Sequence, residues 1–499
     1  MVREGGLKAD VRRSIHARRE RERVEPSACR VQTAAELDEI SAMDHSRDLA
    51  PLVARAPKEL FHPQRVDDRL KFLSADVHIE HYSCTADNYQ ARNAHPRGGN
   101  HAMLDGMKTL KLGVIGTGSV VREIYEHLYF RSAYSRLISV EAICDTSDDA
   151  LEAFGTAWRI PVERRFRDYQ TMFEAVELDA VAVNTPDSLH AEPTVAALEA
   201  GLDVVLPKPT ADTVRDVHRI IETADRTKRF LGVDFHKRED PAVRAARARV
   251  AAGAFGTLQS ASLHMLDRLL VADPNHTPRF FSSPDFASTN SPVSFLTSHM
   301  ADAFMVITGR RPVEVRAIGY RQKLPSLAPI AVEGYDLVDT SVLFEGGVSC
   351  HIVTGWALPN TADCLTVQSG RFIFSDGMLD LWDNHYGYRE ITASGIENRN
   401  VQFMTFERDG MVTGYGMECP GKIIGNILKH RNGELSADEL ATLRSPFALG
   451  LYTTLVCECA HASLATGTHQ ENGAVIGRTI DARALLSEQI GAAADRYFT

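Results

Sequence analysis

The sequence predicts an α/β protein: a Rossmann-type doubly wound parallel sheet from about residue 109, then an α+β region carrying an open, largely antiparallel sheet. Three observations carry that prediction. An apolar run of strand type, 110–115, passes directly into Gly116-Thr117-Gly118, and helix-forming residues follow through Tyr125. Short apolar runs then alternate with helical patterns as far as residue 235, as a parallel sheet with crossover helices requires. Beyond residue 258 the strands lengthen and alternate polar with apolar side chains, the pattern of an open sheet covered on one face.

The first strand and its turn read as the start of a dinucleotide-binding βαβ unit. Gly116 permits a tight turn, and Gly118 lets backbone approach a pyrophosphate at the positive end of the next helix. Thr117, Ser119 and Val120 complete the loop that would cradle the nucleotide, and Val121 stands where a third small residue usually allows close helix–strand packing. A second strand over 138–145 ends in Asp145, 27 residues after Gly118. Such a carboxylate accepts hydrogen bonds from ribose hydroxyls, and Thr146 and Ser147 follow it with no arginine beside them. The expected cofactor is therefore NAD, with NADP disfavoured. A strand followed by an Asp N-cap is the simpler alternative.

Further along, a helix is expected over 147–158, a short strand near 164–166 and a helix over 168–176. Residues 179–184 read as a fourth strand ending in Thr185-Pro186, and an alanine-rich helix then runs to Ala200, closed by Gly201. His190 is placed near the cofactor, although Asp187 and Ser188 fit a helix cap equally well. A fifth strand, 202–206, leads into Pro207-Lys208-Pro209; a helix over 211–226 and a strand at 230–235 complete six strands. In the second half, strands are expected at 258–266, 312–320, 335–355, 362–375, 387–393 and 400–408, with helices at 298–308, 446–466 and 481–496. The long polar loop 267–293 reads as a lid or substrate wall. Trp356 and Trp382 read as sheet packing.

With 499 residues and 44% hydrophobic content, the chain can bury large cores in at least two domains. A formal charge of −11 argues against nucleic acid as a partner. No apolar run reaches membrane-span length and no signal peptide stands out, so a cytoplasmic location without membrane contact is expected. Eight scattered cysteines favour a reduced protein over a disulfide scaffold. Residues 1–108 open on a charged, Arg-rich run, lack sustained periodicity and read as a disordered or loosely structured extension. Met103 and Met107 are alternative starts for the native protein. His78, His81 and Cys84 have loose metal-ligand spacing, but nothing orders a scaffold around them and no metal is expected.

As an ordered set, the motifs resemble the Gfo/Idh/MocA family of NAD(P)-dependent oxidoreductases. The matching pieces are Gly116-Thr117-Gly118, Cys144-Asp145, Asn184-Thr185-Pro186 with His190, Ala197 to Gly201, Lys208-Pro209, and Phe235-His236-Lys237-Arg238 with Asp240-Pro241. The resemblance covers nearly all of 110–499, most strongly its first third. It implies an NAD-binding domain over 109–236 and a substrate-binding domain over 237–499 whose sheet often forms an oligomer interface, so a homo-oligomer is expected.

The resemblance also implies two catalytic residues. Lys208, at the carboxyl edge of the fifth strand, would exchange the proton of a substrate hydroxyl, because a partly desolvated ammonium beside a charged nicotinamide has a lowered pKa. The family usually has Glu where Pro207 stands, and a surface lysine in a proline-bounded turn is the alternative. His299 would share the proton. The carboxylate common four residues earlier is replaced by Phe295, and Asp302 is no assured substitute; a histidine packed in the domain interface is the alternative. Thr185, Pro186, His190 and Lys208 join the glycine turn and Asp145 as expected cofactor contacts. His236, Lys237 and Arg238 read as a solvated strand end able to line the cleft. The activity expected is hydride transfer between nicotinamide and a hydroxyl-bearing carbon of a small-molecule sugar, cyclitol or derivative. An NAD-using glycosidase of the same fold and a catalytically silent NAD-binding regulator are its rivals.

Overall fold

The computed structural model describes residues 109–499 other than 119–120, 282, 363, 383–386, 393–394, 401–405, 409–410, 414–415, 417 and 499. The expectations for 1–108, including its histidines and cysteines, and for Ser119 and Val120 lie outside those residues.

Six strands, β1 (Leu110–Ile115), β2 (Ile138–Cys144), β3 (Arg165–Phe166), β4 (Ala180–Val183), β5 (Asp203–Pro207) and β6 (Leu231–Asp234), form one parallel sheet in the order β3-β2-β1-β4-β5-β6. The order reverses between β1 and β4, so a crevice opens at their carboxyl ends, where doubly wound sheets bind ligands. All four residues of β4 are buried, Ala180 and Ala182 on one face and Val181 and Val183 on the other. That two-sided burial is why the strand reads as an unbroken apolar run. Ser147, Asp168 and Thr213 cap the helices Asp148–Ala157, Tyr169–Ala175 and Val214–Thr227 by accepting from backbone N–H groups. The helix after β1 begins with a π-type turn, Val121–Tyr125, in which Val121 is fully buried.

The helix Cys419–Arg431, which the sequence reading leaves unassigned, returns to cover this sheet. Its Ile423, Ile424 and Ile427 share a core with Leu110, Leu112 and Val114. Gly232 makes the approach possible, since a Cβ there would lie 2.3 Å from Ile423. Arg431 pins the helix to Asp179 at 2.5 Å and to Asp203 at 3.0 Å.

The remaining strands are β7 (Leu258–Arg268), β8 (Pro312–Tyr320), β9 (Leu337–Phe344), β10 (Val348–Leu358), β11 (Thr366–Phe374), β12 (Gly377–Leu381), β13 (Gly387–Thr392), β14 (Gly395–Asn400), β15 (Phe406–Arg408), β16 (Met411–Thr413), β17 (Thr468–His469), β18 (Ala474–Ile476) and β19 (Ile480–Asp481). Eleven of them form a sheet ordered β14-β13-β12-β11-β7-β10-β9-β8-β18-β17, with β19 also on β8. Only β7 and β10 pair in parallel; every other described pairing in this sheet is antiparallel. Helices Ser298–Thr308 and Leu451–Ala465 pack on one face of it.

Four expectations are corrected. The stretch 335–355 is two strands, β9 and β10, reversed at Gly346 and Gly347, which take φ of +77° and +75°. The stretch 400–408 is not one strand: β14 ends at Asn400, and β15 pairs with β16 in a hairpin of its own. The helix expected from 446 begins at Leu451, because Gly450 takes φ +73° where a Cβ would lie 2.5 Å from the Phe235 ring. The last helix stops at Ile490 before Gly491, at φ +63°, and a short helix Asp495–Phe498 follows.

Candidate active site

At the head of β1, Gly116 has φ +85°, and a Cβ on it would lie 2.5 Å from the Asn184 carbonyl oxygen. Only glycine lets the ends of β1 and β4 meet so closely. A Cβ on Gly118 would meet nothing within 4 Å, so this side of the turn is open. Asp145 Oδ2 accepts from Thr117 N at 2.8 Å and Thr117 Oγ1 at 3.0 Å, and Oδ1 accepts from Ser147 N at 2.9 Å. A carboxylate has about four acceptor sites, which leaves roughly one, on Oδ1, for a ribose hydroxyl. The glycine cradle and this carboxylate fit a dinucleotide. Sequence adjacency missed one neighbour. Arg167, arriving from β3, donates to the Thr146 carbonyl and pairs with Asp148 at 2.6 Å.

His190 is fully buried, with Nδ1 2.7 Å from the Pro209 carbonyl and Nε2 3.0 Å from the Thr185 carbonyl. Each ring nitrogen faces a backbone carbonyl, of which a neutral ring donates to one at a time, and the imidazole acts as a strut between the Thr185-Pro186 turn and the Lys208-Pro209 turn. Asp187 and Ser188 do not cap the helix Ala191–Glu199; they form a 3-10 turn, and Thr185 Oγ1 donates to the Leu189 carbonyl at 3.0 Å.

Lys208 follows β5 directly. Its Nζ donates to the Phe295 carbonyl at 3.0 Å and lies 4.9 Å from the centre of the Phe295 ring. Burial pushes the ammonium below the usual lysine range, partly offset by the Asp187, Cys457, Asp267 and Asp234 side chains. One turn beyond Phe295, His299 is 8% exposed at the start of the helix Ser298–Thr308, its ring centre 4.9 Å from that of His236. Burial, then the nearby Lys208 charge, holds its pKa well below the ordinary imidazole range, so the ring is neutral at pH 7. The structure therefore brings Lys208 and His299 together.

Asp302 does not orient His299. Its two oxygens accept a bidentate pair from Arg238, at 2.9 and 2.7 Å, and Thr453 Oγ1 donates to it at 3.1 Å. Among the described residues nothing hydrogen-bonds the His299 ring. Nor is 236–238 a solvated strand end. It is a 3-10 turn in which Lys237 is 1% exposed, bonded to Gln368 and 4.8 Å from the Trp382 ring centre. Trp356 and Trp382 are both buried.

Two features of 267–293 escaped the sequence reading. Asp267 and Arg268 belong to β7, and Asp267 is a buried carboxylate that accepts from Thr366 Oγ1 at 2.7 Å. Burial pushes its pKa up to about 6, against the bond from Thr366 and the Lys208 charge. Beyond it, Phe281 stacks on Phe286 at 3.9 Å and Phe286 meets Phe295 at 5.2 Å. This aromatic cluster anchors the loop beside the lysine. A run of phenylalanines in a polar loop was the available signal.

The NAD-binding Rossmann-fold domain of the Gfo/Idh/MocA oxidoreductase family matches residues 110–235, and that family's C-terminal domain matches 243–379. The chain belongs to the Gfo/Idh/MocA family. Among curated Gfo/Idh/MocA-like relatives, a D-glucoside 3-dehydrogenase of Escherichia coli K12 is 28% identical over 206 residues, 40% of this chain and 54% of that enzyme. An inositol 2-dehydrogenase of Saccharopolyspora erythraea is 33% identical over 150 residues, 30% of this chain and 43% of its own length. The chain thus spans about half the length of these relatives. A solved inositol dehydrogenase homologue from Azotobacter vinelandii, complexed with NADH and myo-inositol, superposes with a TM-score of 0.60 at 21% identity, covering 75% of this chain and 98% of that one. Among the described residues no group of three His, Cys, Asp or Glu side chains could hold a metal ion, and no helix is long and apolar enough to cross a membrane.

Proposed function

We propose that this member of the family is an NAD-dependent oxidoreductase that moves a hydride between nicotinamide and a hydroxyl-bearing carbon of a sugar or cyclitol. The observation that carries the reading is Lys208, a desolvated lysine at the carboxyl edge of the parallel sheet, held by a neutral carbonyl instead of a carboxylate. The sugar class is supported by the dehydrogenases of glucosides and inositols to which the chain is similar. NAD is favoured over NADP by the Asp145 carboxylate, which would repel a 2′-phosphate; the glycine turn and the Thr185-Pro186 turn are its other assigned contacts.

Bound nicotinamide would supply the hydride acceptor or donor. In the oxidising direction the substrate C–H bond breaks with its electron pair, the hydroxyl proton leaves, and a C=O bond forms. Lys208 Nζ receives that proton. As a neutral amine it keeps an N–H on the Phe295 carbonyl while its lone pair faces the hydroxyl, so one backbone contact orients the base. His299, neutral and without a hydrogen-bond partner among the described residues, accepts or donates a second hydrogen bond to the same hydroxyl. His190 keeps the two turns in register. Self-association is assigned to the open face of the large sheet, where Ile373 is exposed.

Absorbance at 340 nm with NAD and a panel of polyols, aldoses and glycosides tests the reading. NADH formation with at least one sugar or cyclitol is expected. Sugar release without NADH would replace it with the hydrolase, and NAD binding with neither would replace it with the regulator.

A further inference from the structure

A cavity of about 290 Å³ is walled by Pro209 and Ser294, the neighbours of Lys208 and Phe295, yet neither Lys208 nor His299 lines it. Its size lies at the lower end of small-molecule pockets. Much of the wall is small: Ala211, Ala287, Ser288 and Ser291 leave the space open. Three charged side chains line it, Asp212, Glu333 and Arg321, and none makes an ion pair among the described residues. The Asp212 carboxylate makes no hydrogen bond or ion pair among the described residues. The Arg321 guanidinium lies 4.2 Å from the centre of the Tyr335 ring, and its buried Nε has no partner. Asp212 and Arg321 do not pair with each other. Asp212 is exposed and Arg321 half-buried, so the wall offers a carboxylate acceptor and guanidinium donors that no protein group uses.

The chemistry of that ligand is constrained. An anion suits Arg321 but meets Asp212 and the neighbouring Glu333; a cation suits Asp212 but meets Arg321. A neutral polyhydroxylated ring offers O–H donors to the carboxylate, oxygen acceptors to the guanidinium and an apolar face to Tyr335. We propose that this cavity is a second sugar subsite, holding one neutral hexose-like ring between Asp212 and the Arg321–Tyr335 pair. The ring is either the second unit of a glycoside whose first unit sits at Lys208, a source that rests on the function proposed above, or a separate free sugar.

Calorimetric titration of the full-length protein with glucose, cellobiose and alanine separates these cases and needs no turnover. For the second unit of a glycoside, Asp212→Asn and Arg321→Ala each weaken cellobiose about ten-fold or more while glucose changes much less. For a free sugar, wild type binds two glucose molecules per chain and the variants bind one. Asp212→Asn is isosteric, so it reports on the site even where Arg321→Ala perturbs folding. Unchanged affinity and stoichiometry for both sugars in Asp212→Asn would overturn the proposal, as would binding of alanine in their place. A protein that binds sugars here yet reduces no NAD would refute the oxidoreductase reading and leave the subsite standing.

Discussion

Lys208 Nζ lies 3.0 Å from the carbonyl oxygen of Phe295 and 4.9 Å from the centre of the Phe295 ring. The residue that stands where the family commonly has a carboxylate is therefore itself a partner of the lysine. A carbonyl dipole and a ring face favour the ammonium only modestly, whereas burial disfavours it. Neutral partners let burial win, and the amine is left easier to deprotonate.

The basic limb of activity follows from this pairing. The pH profile of kcat/KM in the oxidising direction should rise through a lysine ionisation below the ordinary lysine range. Phe295→Asp sets a carboxylate beside the ammonium and should move that limb to higher pH. A limb that stays in place in Phe295→Asp would show that Lys208 does not govern it.

Acid stability provides a second check, because His299 is buried neutral. Below pH about 6.5 an unfolded imidazole binds a proton that the buried ring refuses, so the unfolded state gains protons and stability falls with pH, by at most about 1.4 kcal/mol per pH unit. Asp267 acts oppositely. Its folded carboxyl, pushed up to about 6, keeps a proton that the unfolded group releases down to 3.8, so it adds stability as pH falls through that window. Urea unfolding of His299→Gln between pH 6.5 and 5 should therefore show a shallower loss of stability than wild type. Equal slopes would mean that His299 titrates normally.

The Arg238–Asp302 pair ties the turn after β6 to the helix that carries His299, with side-chain exposures of 18% and 3%. Asp302→Ala removes the counter-charge and leaves the guanidinium only the Phe447 and Ala448 carbonyls, which should cost about 3–5 kcal/mol in urea unfolding. Its KM for NAD should stay near wild type, because the pair positions a helix and leaves the nucleotide crevice alone. A loss below about 1 kcal/mol would mean the pair is well hydrated.

On the proposed reading, cofactor choice rests on Asp145. Asp145→Ser removes the carboxylate while Arg167 remains against Thr146, so the ratio of kcat/KM for NAD to that for NADP should fall by roughly ten-fold or more. An unchanged ratio would show that neither side chain reads the ribose.

What could be read in advance was local. Gly116, Gly201 and the apolar runs of β1, β4 and β5 each announce themselves within a few residues, because a buried parallel strand and a left-handed turn impose their own composition. The helix Cys419–Arg431 did not, since its reason for existing is a sheet whose first strand lies some three hundred residues earlier. Shorter separations, 64 and 21 residues, likewise hid Arg238 from Asp302 and Arg167 from Thr146. The hydrogen bond from Lys208 to Phe295 ends on a backbone carbonyl, which any residue at 295 would present, so residue type carried no trace of that bond.

The proposed oxidoreductase chemistry requires Lys208 to handle the substrate's proton. Steady-state turnover of Lys208→Ala, alongside NAD binding measured by fluorescence quenching, tests it most directly. The expected result is kcat lowered about 10²–10⁴-fold with NAD affinity retained. Near-normal turnover in that variant would contradict it.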